Sequence, residues 1–363
     1  GTLYFSNYTD QRLYRIDRRE KARAGTPPLP LRYADLSVDG IRNRLLCVCE
    51  DHTEDGPPKN TLAAVDLENG RLRHLVSGND FYASPRLSPD GSRLAWLTWN
   101  HPDMPWDGTQ LWVAPVEEAG GLGEPQRVAG GSTESIFQPE WGPGGTLFFI
   151  SDRSGWWNLY KRVNGETSPV LEMEADFGLP QWVFGMSTYQ PVSDDSLVCS
   201  FTQEGIWRLA RIDTATGEME NLRIPYTDVD FVRVLEDRVF FLGASHAEPR
   251  SLVRLNLMNH RMTVLKRSFD NTIDPGYLSA PEPVAFPTTG DQVAHGFFYR
   301  PENRDFDPPD GEKPPLLVFS HGGPTAAASA AFNLMIQYWT SRGIAVLDVN
   351  YGGSTGYGRE YRE

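Results

Sequence analysis

At 363 residues the chain is long enough for two domains of ordinary size and a large core. Its 48 acidic against 34 basic side chains give a net charge of −14 with no concentrated basic stripe, which argues against nucleic acid and anionic membranes as partners. No run is long enough to span a membrane and no signal peptide is visible, while Cys47, Cys49 and Cys199 make no disulfide framework, so buried free thiols in a reducing cytoplasm are expected.

Residues 1–268 carry a weak internal repeat. Turns of one kind recur at Ser37-Val38-Asp39-Gly40, Ser88-Pro89-Asp90-Gly91 and Gly142-Pro143-Gly144-Gly145, with looser versions at 193–195 and 236–237. Apolar strands follow them: Leu45-Leu46-Cys47-Val48, Leu94-Ala95-Trp96-Leu97, Leu147-Phe148-Phe149-Ile150, Leu197-Val198-Cys199 and Val239-Phe240-Phe241-Leu242. Each is followed by a second strand, such as Gln110-Leu111-Trp112-Val113 or Ile206-Trp207-Arg208-Leu209. A period of about 40–50 residues with several strands per unit reads as a β-propeller. Six units are visible, the first cut short at Thr2-Leu3-Tyr4-Phe5-Ser6, and seven blades are expected in the complete protein. Trp96, Trp99, Trp112, Trp141, Trp156, Trp157 and Trp207 lie on or beside these strands, where packing between adjacent units is their expected work.

Residues 269–281 read as a linker. Pro283-Val284-Ala285-Phe286, a turn at 288–291 and Val293 to Tyr299 read as a hairpin, and 302–315 as an exposed loop rich in Pro, Asp and Gly. Then comes an apolar strand, Leu316-Leu317-Val318-Phe319-Ser320, followed by His321-Gly322-Gly323-Pro324. A helical pattern places Phe332, Met335, Ile336 and Trp339 on one buried face. Gly343 can cap its end in the left-handed conformation. A second apolar run, Ile344 to Val349, leads into Asn350-Tyr351-Gly352-Gly353-Ser354-Thr355-Gly356-Tyr357-Gly358-Arg359. This is one βαβ unit, with both strands expected to be buried on both faces. Domains are therefore expected at 1–268, an N-terminally incomplete propeller, and 269–363, the start of an α/β-hydrolase domain.

The turn after the first of these strands is the candidate for chemistry, because open α/β sheets bind ligands at strand carboxyl ends. Gly322 and Gly323 let backbone N–H groups approach a reacting atom. Pro324 is expected to push Gly323 into an extended conformation that aims its N–H into a cleft. A loop of this type supplies an oxyanion-hole donor in α/β-hydrolases. His321 is the one histidine of seven placed by such a turn, and its expected role is to shape it.

The His321-Gly322-Gly323-Pro324 turn, the Tyr338-Trp339 pair and the Asn350 to Arg359 loop together resemble the prolyl oligopeptidase family of serine peptidases. Within it they resemble most the dipeptidyl and acylaminoacyl aminopeptidase branch, in the neighbourhood of puromycin hydrolase-type enzymes. The resemblance implies a serine exopeptidase or oligopeptidase acting on short peptides or aminoacyl amides, with the propeller gating access. It implies Gly323 as oxyanion donor with Gly322 and His321 supporting the turn, Pro324 and Tyr351 as substrate contacts, and no metal or cofactor. The family pattern reads Asn-Tyr-Arg-Gly-Ser; Gly352 replaces the Arg and removes whatever ionic contact it makes.

Ser354 lies in a glycine-rich loop, not on the strand-turn-helix of a nucleophile elbow. No serine here combines an adjacent strand-turn-helix context with a histidine that could serve as its base. The Ser, Asp and His of a triad are accordingly expected beyond Glu363. The chain begins inside a strand pattern without an initiator methionine and stops two strands into a sheet, so it reads as a segment of a longer polypeptide. The alternative is a propeller scaffold for protein interactions with a vestigial hydrolase piece.

Overall fold

Alternation along single strands explains how this chain builds its cores. In the strand Arg44–Asp51, Leu45, Cys47 and Cys49 pack to one side with Leu13, Leu31, Tyr33, Ala63 and Val65. Leu46 and Val48 pack to the other side with Leu62, Ala64, Tyr82, Leu94, Trp96 and Ala114. Side chains in a strand point alternately to opposite faces, so a run that is apolar throughout serves two cores at once. Each fully buried Leu contributes about 1.5–3 kcal/mol of transfer free energy.

The computed structural model describes residues 1–307, 309 and 311–363. Residues 308 and 310 of the loop expected at 302–315 lie outside the described residues. The chain packs as two units, one of residues 1–153, 161–166 and 181–185, the other of 154–160, 167–180 and 186–363.

In the first unit, Thr2–Ser6, Leu13–Asp17 and Arg23–Ala24 form a three-stranded sheet. Two four-stranded antiparallel meanders follow in chain order. The first runs Leu31–Asp39, Arg44–Asp51, Lys59–Asp66, Leu72–Val76; the second runs Phe81–Leu87, Arg93–Trp99, Thr109–Pro115, Gln126–Gly131. Ile136–Trp141 and Leu147–Ser151 pair as a hairpin. The turn at Ser88-Pro89-Asp90-Gly91 shows why its residues recur. Asp90 accepts from the Ser88 hydroxyl at 2.6 Å and the Ser92 hydroxyl at 2.7 Å, and Gly91 takes φ +70°. Those hydrogen bonds pull the Asp90 carboxyl down to about 2.

The opening strands of the two meanders and of the hairpin share a device. Each is bulged, between Ala34 and Ser37, Ala83 and Arg86, and Phe137 and Glu140. Each bulge holds a non-glycine residue at positive φ: Asp35 at 51°, Ser84 at 53° and Gln138 at 47°. A bulge re-aims the following side chain, and here Arg86 reaches Asp35 at 3.3 Å and Glu140 at 3.4 Å.

The second unit holds two more meanders. Tyr189–Ser193, Ser196–Gln203, Ile206–Asp213 and Met219–Leu222 form one; Asp228–Leu235, Arg238–Ala244, Ser251–Asn256 and Met262–Arg267 form the other. Val198, Leu209, Val229, Val232, Val239, Phe241 and Val253 pack between them. The last sheet has the order Pro281–Pro287, Val293–Tyr299, Ala345–Asn350, Leu316–Ser320. Its first two pairings are antiparallel and the last is parallel. The expected hairpin and βαβ crossover are thus both present.

Two expectations for this sheet need correction. Leu316–Ser320 is not buried on both faces: Leu317 and Phe319 pack against the core containing Ile336 and Val346, while Leu316 is 51% and Val318 61% exposed. The helix is also shorter, Leu334–Thr340, because Asn333 caps it by accepting from the Met335 and Ile336 N–H groups. Its buried residues are Ile336, Gln337 and Thr340, with Phe332 and Trp339 half-buried and Met335 61% exposed. Gln337 takes an inward place because its amide is satisfied there, accepting from Ser279 N–H at 2.7 Å and donating to Ser279 C=O at 3.0 Å. Gly343 closes the helix at φ +82°, as the pattern requires.

Candidate active site

Parallel pairing of Leu316–Ser320 with Ala345–Asn350 brings the carboxyl ends of both strands to one edge of the sheet. The turn at 321–326 and the glycine-rich loop at 351–358 both emerge there and interlock. Thr325 N–H donates to Gly353 C=O at 3.1 Å, and Thr355 N–H donates to Ala326 C=O at 3.0 Å. Asn350, fully buried, accepts from Ala328 N–H at 2.7 Å and donates to the Tyr357 hydroxyl at 3.0 Å.

Tyr351 clamps the turn directly. Its ring stacks on His321 with centroids 4.4 Å apart and planes 18° apart. Its hydroxyl faces two carbonyls of the turn, His321 O at 3.0 Å and Gly323 O at 3.2 Å. The Tyr351 hydroxyl is thus turned onto the backbone of the turn itself.

His321 Nε2 lies 2.7 Å from Ser354 Oγ, a pairing that no motif in the sequence announces. The crossover brings together residues that the sequence keeps far apart. The Ser354 hydroxyl donates its single proton to Tyr351 C=O at 2.7 Å, so the imidazole must donate to Ser354. Burial holds the His321 imidazole below its ordinary pKa, which favours the neutral ring, and the hydrogen bond to Ser354 then places its proton on Nε2. An imidazole that donates to a hydroxyl is not poised to take its proton, and Ser354 is fully buried. As arranged, the pair is a structural link between turn and loop.

Gly323 departs from expectation in conformation. It is at φ +75°, not extended. The restriction that proline imposes on its predecessor comes largely from a Cβ, and glycine has none, so Gly323 can adopt this torsion with its carbonyl facing the Tyr351 hydroxyl. Gly322, Gly323 and Pro324 are exposed, and a Cβ at Gly322 or Gly323 would meet nothing within 4 Å. No hydrogen bond uses the Gly323 N–H among the described residues. Gly352 also faces open space, so the missing arginine is not excluded by crowding. Among the described residues no group of three His, Cys, Asp or Glu side chains is placed to hold a metal ion.

One participant gave no motif to read. Asp176 is buried, and its carboxylate accepts from Trp157 N–H at 3.0 Å and from Gly358 N–H at 3.2 Å. A lone aspartate in the apolar context Ala175-Asp176-Phe177 was the available signal.

No family model matches the chain. A puromycin-hydrolysing peptidase of Mycobacterium tuberculosis superposes on 99% of it with a TM-score of 0.91 at 38% identity. The chain is similar over its whole length to peptidases of the prolyl oligopeptidase family. A puromycin hydrolase solved in complex with PGG matches 99% of the chain with a TM-score of 0.91 at 34% identity. Dipeptidyl-peptidase 5 of Schizosaccharomyces pombe is 22% identical over 309 residues, 84% of this chain. The chain spans 58%, 57% and 36% of these three relatives. Its several four-stranded antiparallel sheets match the propeller domain of the family.

Proposed function

We propose that the chain supplies the propeller and the opening of the α/β-hydrolase domain of a serine peptidase acting on short peptides or aminoacyl amides. The propeller is residues 1–268, six units of an expected seven radially arranged blades, and the hydrolase portion is 269–363. The observation that carries this reading is the Gly323 N–H, exposed at a strand carboxyl end on a turn clamped by Tyr351. In the reaction, a serine attacks the scissile carbonyl and its proton passes to a histidine base. The carbonyl oxygen becomes an oxyanion, and the Gly323 N–H donates to it. A donor of this kind contributes about 3–4 kcal/mol to the transition state. Gly322 and His321 hold the turn, and Pro324 borders the cleft that the substrate enters.

The nucleophile, its base and its acid belong beyond residue 363 on this reading, since Ser354 is committed to Tyr351. The buried free thiols favour a cytoplasmic setting. That the relatives are peptidases weighs against an interaction scaffold. The test is a panel of aminoacyl and acyl-aminoacyl amides with the full-length protein, together with a fluorophosphonate probe. Turnover and stoichiometric labelling are expected for the full-length protein, and no labelling for residues 1–363 alone. Labelling at Ser354 would overturn the assignment.

A further inference from the structure

We infer that Asp176 is a positioning residue for the oxyanion turn, acting through the glycine-rich loop; this rests on the peptidase reading above. A carboxylate with 1% exposure is costly unless both oxygens are satisfied. Asp176 meets that demand with N–H groups from two separate segments, Trp157 on one side and Gly358 on the other. Its own backbone is held by Thr202 in both directions, at 3.1 and 2.9 Å. The Arg362 guanidinium lies 4.0 Å above the Trp157 ring, and Arg359 N–H donates to Gly155 C=O at 2.8 Å. Gly358 sits at φ +83°, where a Cβ would lie 3.0 Å from Gly155 O and 3.1 Å from the Trp156 ring. The loop's far end is therefore pinned by a buried, hydrogen-bonded carboxyl group and a close backbone approach.

The near end holds the turn. Gly353 C=O accepts from Thr325, Ser354 from His321, and the Tyr351 hydroxyl faces Gly323 C=O. Between the two pins runs only the segment 351–358, and Ser354, Thr355 and Gly356 within it are buried. Packing alone would accept a neutral residue at position 176. A carboxylate adds a requirement: two acceptors, facing two donors, at fixed places. Asparagine keeps the shape but turns one acceptor into an NH2 that faces an N–H. One segment must then give way. A shift that reaches Gly323 misplaces the oxyanion donor, and misplacements of about 1 Å cost on the order of a hundredfold in rate.

The experiment uses the full-length protein with sites counted by fluorophosphonate titration. Asp176→Asn is expected to lower kcat per titrated site about a hundredfold with KM for an aminoacyl amide unchanged. Affinity for a matched peptide aldehyde, whose hemiacetal oxygen needs the same N–H, should fall in parallel. Affinity for the corresponding peptide alcohol should not. Gly358→Ala, which leaves the carboxyl group intact but strains the φ +83° backbone and crowds the close approach, should give the same split, and the double variant little further loss. It also serves if Asp176→Asn fails to fold. Wild-type kcat per titrated site in whichever variants fold would overturn the inference, as would equal losses of aldehyde and alcohol affinity. A wild-type protein inert to amide and probe alike would instead remove the peptidase reading, and this inference with it.

Discussion

Gly322 and Gly323 look interchangeable in the sequence, yet their backbones make different demands. Gly323 sits at φ +75°, where any side chain is strained by roughly 1–2 kcal/mol, whereas Gly322 is outside that region. Gly323→Val in the full-length protein should cut kcat by at least about a hundredfold, and Gly322→Ala by far less, with thermal unfolding little changed in either. Equal effects on kcat would place the donor elsewhere. A second residue carries a pH signature. Burial, then the neighbouring Asp228 charge, pushes the Asp230 carboxyl up to about 6, against the pull of Arg250 at 2.9 Å. The folded state then binds more protons than the unfolded one between the ordinary value of 3.8 and about 6, so stability falls as pH rises through that window. Asp230→Asn should therefore gain in Tm relative to wild type between pH 4 and pH 7; a constant difference would show that Asp230 does not titrate as stated. At this scale the His321 to Pro324 turn was legible, because its residue types are demanded by a backbone approach. The Tyr351 clamp and Asp176 were not, since each works through a partner distant in sequence.

Strands and turns were legible along most of the chain, since alternation and Asp-Gly steps are local properties. The bulges were not. Asp35, Ser84 and Gln138 share a torsion but no residue type, because a bulge is a property of pairing register. The same holds for one position of the helix: the apolar spacing from Phe332 to Trp339 is right for Ile336 and Trp339 but places Met335, which is exposed, on the buried face. Gln337 takes the inward place instead of Met335 because its amide finds both partners on Ser279. The bulges bring together Asp35, Arg86 and Glu140, whose side chains are 4%, 19% and 24% exposed. Removing the cation leaves two carboxylates facing each other in a poorly solvated place. Arg86→Leu is expected to cost about 3–5 kcal/mol, measured by denaturant unfolding. A loss below about 1 kcal/mol, the level of an exposed pair, would show that water already screens the network.

Two packed units within one chain raise the question of whether they open together, and the cysteines supply clocks for it. Cys47 and Cys49 lie in the first unit and Cys199 in the second, all buried. Burial, then the charges of Asp51 and Glu50, lifts the Cys49 thiol to about 12, and burial likewise lifts Cys47 and Cys199. Only the thiolate attacks a thiol reagent, so in the closed state modification is suppressed twice, by access and by protonation. Each thiol then reacts only when its surroundings open. Peptide-resolved labelling by mass spectrometry should give native rates far below those of the unfolded chain, with Cys47 and Cys49 rising together along a denaturant gradient. If Cys199 rises at the same concentrations, one opening event serves the whole chain. If it does not, the separation between the two labelling curves, multiplied by the denaturant slope m, is the free energy by which one unit outlasts the other.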